Sequence, residues 1–423
     1  MPSVQRLGLV ASFVLASALA RGEEHDYLFY DLGDLGCTDP YANEAYDITD
    51  TGIIAGYGIE SGCPLQNHAI LWENGRMTDL NGTYSGVVKS ARGISEANVI
   101  VANALPEGEP WPKDVVIRDD LFIPVTLPDG CTLHGSANDI NAHGTLVAGE
   151  CITDQAFRLP ILYSTEDGEA ISLGLLLGCL AEDFWGCANG VNNNGVVTGT
   201  IWCNDDPARG FTWVDGQITE IPNLVGGKGV TGAAINNNNL IVGEAQVADG
   251  DYLAMSYNLN TGEMTVLGSG RADAVNDRGS AVGRIILNLS AVHGILFEDG
   301  IELDLSVFFP GELEGNNRPH AINNYGWIVG HAEAEESDDW HSWLLVPVYD
   351  KGDYDGDTDV DHQDFQHFQR CFAADPYTNG TLHVGCSVFD FDDDVDLDLD
   401  DYAAFQSAFT GPTAPNNNPN GPG

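Results

Sequence analysis

The stretch Ala45-Tyr46-Asp47-Ile48-Thr49-Asp50-Thr51-Gly52-Ile53-Ile54-Ala55-Gly56 decides the fold, because the chain repeats it. Counterparts run from Ala91 to Ala102, Ala137 to Ala148, Ala188 to Gly199, Gly232 to Gly243, Ala272 to Gly283 and Pro319 to Gly330. Taking the branched residue as origin gives Ile48, Ile94, Ile140, Val191, Ile235, Val275 and Ile322, spaced by 46, 46, 51, 44, 40 and 47 residues. Four positions after each origin stands Gly52, Asn98, Gly144, Gly195, Asn239, Gly279 or Gly326. Glycine and asparagine best tolerate a left-handed backbone. With polar pairs before them, such as Thr49-Asp50, Asn192-Asn193 and Asn323-Asn324, they predict a short turn between two strands. Small residues three before the origin, such as Ala45, Ala91 and Ala137, suit a crowded innermost strand.

Each copy continues alike. An aromatic or apolar strand follows, with Trp72, Ile117, Tyr163, Trp213, Tyr257, Phe297 and Trp343 in similar register. Then come a polar turn, such as Asp215-Gly216 or Asp299-Gly300, and a last alternating strand such as Gln217 to Ile221 or Ile301 to Leu305. Four short strands in a unit of ~40–50 residues make a propeller blade. The fold class expected is all-β, a seven-bladed β-propeller over residues 27–347. The last copy lacks its fourth strand, and Tyr27 to Leu32 reads as a spare one. Pairing the two would close the ring and remove exposed edges. An open solenoid is the competing architecture.

The segments Asp31-Leu32-Gly33-Asp34-Leu35-Gly36, Asp47 to Gly52 and His68-Ala69-Ile70-Leu71-Trp72-Glu73-Asn74-Gly75 resemble the HAF family of extracellular repeats, over about residues 27–346. The resemblance implies an extracellular location. It brings no catalytic residues.

The N-terminus agrees with export. Arg6 precedes the uncharged run Leu7 to Ala20, which ends Ala18-Leu19-Ala20. This is the layout of a signal peptide over residues 1–20, too short to span a bilayer. No later stretch is long and apolar enough to span, so no membrane span is expected after signal removal. The formal net charge of −48, from 64 acidic against 16 basic residues, excludes nucleic acid as a partner, since phosphate binding needs lysine and arginine. It suits divalent cations.

Nine cysteines in an exported chain read as disulfides. Equivalent places in three repeats predict Cys37–Cys63, Cys131–Cys151 and Cys179–Cys203; Cys371–Cys386 would join the ends of a C-terminal link, leaving Cys187 odd. Cys179–Cys187, with Cys203 free, is the competing pairing.

Asp50-Thr51-Gly52 and His143-Gly144-Thr145 look like the Asp and His segments of a subtilisin-like protease. No matching serine segment follows, and a triad needs that nucleophile. Both segments fall on the repeat register, so they read as turns.

Near Asp350 the composition changes. Asp353, Asp355, Asp357, Asp359, Asp361 and Asp364 occupy positions 1, 3, 5, 7, 9 and 12 of one loop; Asp390, Asp392, Asp394, Asp396, Asp398 and Asp401 occupy the same positions of a second. Calcium takes six to eight oxygens, and a twelve-residue loop supplies them from such positions, position 7 through its carbonyl. Calcium at two sites is therefore expected. Position 8 is apolar (Val360, Leu397), and each loop leads into a helix striped by Phe365, Phe368 and Phe372 or Tyr402, Phe405 and Phe409. The stripes predict a mutual core. Residues 351–411 thus form a small all-α calcium-binding domain, followed by a tail (412–423) rich in Pro, Asn and Gly that is expected to be disordered. Position 6 holds Thr358 and Val395, where glycine is usual for the sharp turn. A β-branched residue at positive φ is strained, and Val395 marks the second site as the weaker.

Loop then helix, twice, resembles dockerin type I of the planctomycete kind. The resemblance implies calcium-dependent docking to a cohesin-like domain or cell-surface component. Positions 10 and 11, His362-Gln363 and Leu399-Asp400, are not the Ser-Thr pair of cellulosomal dockerins, which leaves the partner open. Two function classes follow. One is a secreted, non-enzymatic binding or scaffold protein whose propeller takes a glycan or protein ligand. The other is a carbohydrate-active hydrolase or lyase delivered to polysaccharide by its dockerin-like end. The sequence identifies no catalytic residue for either.

Overall fold

In the computed structural model the described residues are 26–33, 35, 43–59, 67–82, 87–105, 112–119, 121–179, 184–203, 207–288, 291–311, 313, 316–334, 340–373 and 382–411. The expected signal segment, the C-terminal tail, Cys37 and Cys63 lie outside them. The chain divides into two compact units, one made of residues 29–73 and 77–345, the other built around residues from Val346 onward.

Every repeat turns alike. The residue after the origin closes the turn, as Thr49 N–H to the Ile53 carbonyl (3.0 Å), Asn192 to Val196 (3.1 Å) and Asn323 to Trp327 (3.0 Å). The residue four after the origin has positive φ in all seven copies: Gly52 82°, Asn98 57°, Gly144 68°, Gly195 75°, Asn239 64°, Gly279 93° and Gly326 75°. Each turn joins the first two strands of an antiparallel set of four. The first repeat supplies Asn43–Ile48, Ile54–Ile59, Asn67–Glu73 and Arg76–Asp79. The second supplies Val87–Ile94, Ile100–Leu105, Lys113–Arg118 and Leu121–Pro124. The fifth forms another separate sheet of four. Two eight-stranded sheets are each two such sets, joined where Arg158 pairs in parallel with Trp185 and Val292 with Asn316.

The core lies between successive sets. Ala69 and Leu80 of the first meet Val88 and Val115 of the second; Val99 and Val116 of the second meet Ile140 and Tyr163 of the third. Face-to-face packing of short twisted sheets in chain order is β-propeller-like.

The two ends of this unit meet. Tyr27–Asp31 is the neighbour of Trp340–Pro347 in one sheet, with Leu32 N–H donating to the Ser342 carbonyl at 3.0 Å. A side-chain pair marks this strand as the missing fourth. In the first and sixth repeats a third-strand histidine meets an aspartate at the end of the fourth: His68–Asp79 and His293–Asp304, both 2.8 Å. His341 meets Asp31 in the same way at 3.2 Å, and each aspartate precedes a buried leucine, Leu80, Leu305 or Leu32.

The turns are also chained to one another. Asp50 N–H donates to Glu96 Oε1, Glu96 N–H to the Ala142 carbonyl, His143 N–H to Asn193 Oδ1, and Asn193 N–H to Asn237 Oδ1. Asn237 N–H then donates to Asp277 Oδ1, Asp277 N–H to Asn324 Oδ1, and Asn324 N–H to Asp50 Oδ1, the last two at 2.8 Å. The final bond spans 274 residues of sequence and returns to the starting turn. Asp50 and His143, the residues with a protease-like look, are links in this chain.

One expected register is corrected. Trp72, Ile117, Tyr163, Trp213, Tyr257 and Phe297 each pair near the start of their second strand, opposite Ile54, Ile100, Val147, Val197, Ile241 and Ala281. In the last repeat Leu345 holds that place, opposite Ile328, while Trp343 pairs two residues away with Gly330. Aromatic character alone misplaced it, because Leu345 is equally buried.

Three disulfides match the sequence pairing: Cys131–Cys151, Cys179–Cys203 and Cys371–Cys386, with Cα separations of 5.8, 5.3 and 5.7 Å. Among the described cysteines, Cys187 is the one outside a disulfide.

The second unit carries two helices, α1 (His362–Ala373) and α2 (Leu399–Ala408). Their stripes pack together, with ring centroids 5.2 Å apart for Phe368–Phe405 and 5.8 Å for Phe368–Tyr402. Phe372 and Phe409 lie at the exposed ends. Phe389, from the short 3-10 turn Cys386–Phe389, completes this core against Phe368, Phe405 and Tyr354. Among the described residues no helix is long and apolar enough to cross a membrane.

Candidate metal centre and axial ring

Each aspartate loop closes on its twelfth residue. Asp364 accepts from the Tyr354 N–H (2.7 Å) and the Asp361 N–H (2.8 Å); Asp401 accepts from the Phe391 N–H (2.7 Å) and the Asp398 N–H (2.9 Å). The first residue does the complementary work. Asp353 accepts from Gly356 and Thr358, Asp390 from Asp394 and Val395. The two loops thus share their hydrogen-bond pattern at positions 2, 6 and 9, and differ in that position 4 donates to the first residue in one and position 5 in the other. α1 and α2 both begin at position 10, and Asp398 and Asp401 form a capping box at the start of α2.

This wrapping brings carboxylates together. One ligand oxygen from each of Asp353, Asp355 and Asp364 falls within 4.8 Å of the others, as for Asp359, Asp361 and Asp364. The second loop repeats both groups with Asp390, Asp392 and Asp401, and with Asp396, Asp398 and Asp401. Position 5, Asp357 or Asp394, stays outside these groups and is exposed. Position 7 differs from the sequence reading: Asp359 and Asp396 present a carboxylate and not only a carbonyl. The five grouped aspartates of the first loop are all buried, whereas Asp392 and Asp398 are exposed. Thr358 and Val395 sit at φ 74° and 70°. The position-6 strain is therefore common to both loops, and burial is what separates them.

Burial pushes the Asp353 carboxyl up to about 6, against its hydrogen bonds with Thr358 and Gly356, and raises that of Asp364. The loop gathers negative charge faster than its own donors neutralise it. Hard cations with oxygen ligands fit that donor set. Tyr354 stacks on His367 at 4.0 Å and backs the first loop. Sequence reading missed this layer, although Tyr354 and Phe391 both fill position 2.

A second arrangement lies in the repeats. In six copies the first strand is bulged at one place. Pairing passes from Ala45–Gly56 to Asp47–Ala55, skipping Tyr46, and likewise skips Arg92, Asn138, Asn189, Asp273 and His320. Each skipped residue stands two before the origin, and a bulge re-aims its side chain. Neighbouring members meet: Arg92 lies over the Tyr46 ring at 5.4 Å, and Tyr46 packs edge-on to His320 at 5.6 Å. Asn138 and Asn189 donate to the Ala188 and Gly232 carbonyls of the following repeats. In the first and third repeats the next residue is aspartate. Asp47 accepts from Ile94 N–H (2.8 Å) and Asp139 from Val191 N–H (2.7 Å). Burial pushes both carboxyls up to about 7. Near the turns a cavity of about 140 Å³ is lined by Asp50, Asn192, Asn237, Asp277 and Asn324 among others. Burial pushes the Cys187 thiol up to about 12, away from the reactive thiolate form.

No family model matches the chain, and no curated protein sequence matches it. Among solved structures it is similar to the β-propeller domain of the Trilobed protease from Pyrococcus furiosus, at 13% identity and TM-score 0.49, over 73% of this chain and 98% of that one. It is also similar to acylaminoacyl peptidase from Pyrococcus horikoshii, at 11% identity and TM-score 0.47, over 72% of this chain and 52% of that one. TolB from Acinetobacter baumannii is a third, at 10% identity and TM-score 0.37, over 75% of this chain and 65% of that one. The chain spans about half the length of the acylaminoacyl peptidase. These likenesses carry no statement about activity.

Proposed function

We propose that the chain is an exported, non-enzymatic binding or scaffold protein, a seven-bladed β-propeller tethered through a calcium-dependent, dockerin-like module. The observation that carries this reading is the matched pair of loops, in which equivalent aspartates converge and equivalent backbone amides hold them. Calcium, when bound, supplies the positive charge that lets these carboxylates sit together. Asp353, Asp355, Asp359, Asp361 and Asp364 would hold the first ion, and Asp390, Asp392, Asp396, Asp398 and Asp401 the second. The core behind them is one aromatic cluster and one disulfide, small for independent stability. Cation binding is then coupled to folding. The partner is a cohesin-like domain or cell-surface component, bound only when the loops are filled. Seven repeats, the Tyr27–Asp31 strand and the returning chain of turn bonds support a closed ring of seven blades. Export is supported by three disulfides, which persist in oxidising compartments.

The test is amide hydrogen exchange on the full chain with calcium and with excess chelator, alongside calorimetric titration. Two ions bound, and loss of protection in α1 and α2 alone on chelation, are expected. Full protection of both helices in chelator, or no calcium uptake at millimolar concentration, refutes the reading.

A further inference from the structure

The bulged residue of the last repeat, His320, does not sit alone. Its Nε2 lies 2.9 Å from Nδ1 of His331 on the adjacent strand Ile328–Glu333. That same Nδ1 lies 4.0 Å from Oε2 of Glu44, on the first strand of the first repeat. Nitrogen, nitrogen and oxygen all fall within 4.8 Å of one another. The three come from opposite ends of the unit's sequence and converge only because the last repeat meets the first.

Two features make this a built site and not a chance contact. Glu44 is held by Tyr57, whose hydroxyl donates to Oε1 at 3.2 Å and leaves Oε2 toward the histidines. His331 is 4% exposed and stacks on Trp340 at 4.3 Å, which fixes its ring.

We infer that Glu44, His320 and His331 form a divalent transition-metal site at the junction of the first and last repeats, separate from the aspartate loops. Two imidazoles and one carboxylate are the donor set of zinc-type sites that keep positions open, whereas calcium prefers all-oxygen cages. The surroundings set the class of the added ligand. Arg92 and Arg318 lie over Tyr46 and Trp340, the rings packed against His320 and His331. Two guanidiniums so placed attract an anionic oxygen donor, so metal and carboxylate bind with positive coupling. Glu44 and His320 are partly exposed, so both can enter.

The experiment uses the full chain, stripped with chelator and returned to millimolar calcium, which occupies the aspartate loops. Cobalt(II) is the probe. One equivalent should bind with visible d–d bands of a low-symmetry nitrogen–oxygen site, and zinc should displace it. Acetate should tighten cobalt binding ~5-fold or more and shift the bands. His320→Ala should abolish uptake, and Tyr57→Phe should weaken it ~10-fold or more by releasing Glu44. His320→Gln, which keeps a polar group of similar size, is the companion variant if the alanine form does not fold; near-UV circular dichroism checks each. No cobalt uptake at saturating calcium, or uptake undiminished in both His320 variants, overturns the metal site and leaves a hydrogen-bonded histidine pair. Uptake indifferent to carboxylate overturns the assignment of an anionic co-ligand.

Discussion

Val395 offers a sharp test of the loop energetics. It occupies position 6 of the second loop at φ 70°, with 47% of its surface exposed. A left-handed backbone costs an L-residue about 1–2 kcal/mol. Glycine removes that cost but adds freedom to the unfolded chain, returning about 0.4–1 kcal/mol. Little packing is lost, because the side chain is largely exposed, and the Val395 N–H that bonds Asp390 Oδ2 is untouched. Val395→Gly should therefore stabilise the filled loop by about 0.5–1 kcal/mol, a ~2–5-fold tighter second calcium. Val395→Ala keeps its Cβ and should gain much less. Calorimetric titration of the full-length variants against wild type reads the second binding step. Weaker or unchanged binding by Val395→Gly would refute the reasoning, and with it the claim that position-6 strain limits affinity.

Asp364→Ala should cost more than Asp390→Ala, because Asp364 is 1% exposed and its loss orphans the buried Tyr354 and Asp361 amides, at about 1–3 kcal/mol each; calcium-dependent melting of α1 measures it. Asn324→Ala removes the acceptor of the Asp277 amide and the side-chain donor to Asp50, so the propeller unit should melt several degrees lower in a thermal scan, calcium present or not. Asp139→Asn tests the buried carboxylate. Its folded pKa of about 7 lies above the unfolded value of about 3.9, so the folded state binds the extra proton and wild-type stability falls as pH rises through that window. The asparagine variant should melt higher than wild type at pH 8, with the gap closing by pH 4; a gap that widens toward acid contradicts the assignment.

The sequence by itself determined whatever depends on residues close together in the chain. A turn needing positive φ shows as Gly or Asn at one place in every copy, because few other residues adopt that backbone cheaply. The β-branched Thr358 and Val395 could be marked as strained for the same reason, and their φ values agree. Aspartates at fixed spacing foreshadow convergence, because a twelve-residue loop is too short to place them elsewhere. Two of the three cysteine pairs read from equivalent places in the repeats, Cys131–Cys151 and Cys179–Cys203, are formed.

Only the tertiary structure decided what meets across repeats. Strand alternation predicts which way a side chain points, but a bulge breaks the alternation, and no local pattern announces the bulge that re-aims Tyr46, Arg92 and His320. Leu345 and not Trp343 took the aromatic register because burial, and not ring character, is what that place requires. The first loop is the more buried of the two, and that burial depends on Tyr354, His367 and Phe389 closing around it. Glu44 and His331 are brought together by strands at opposite ends of the unit, where pairing energy accumulates over many short sheets, and composition of either segment alone carries no trace of it.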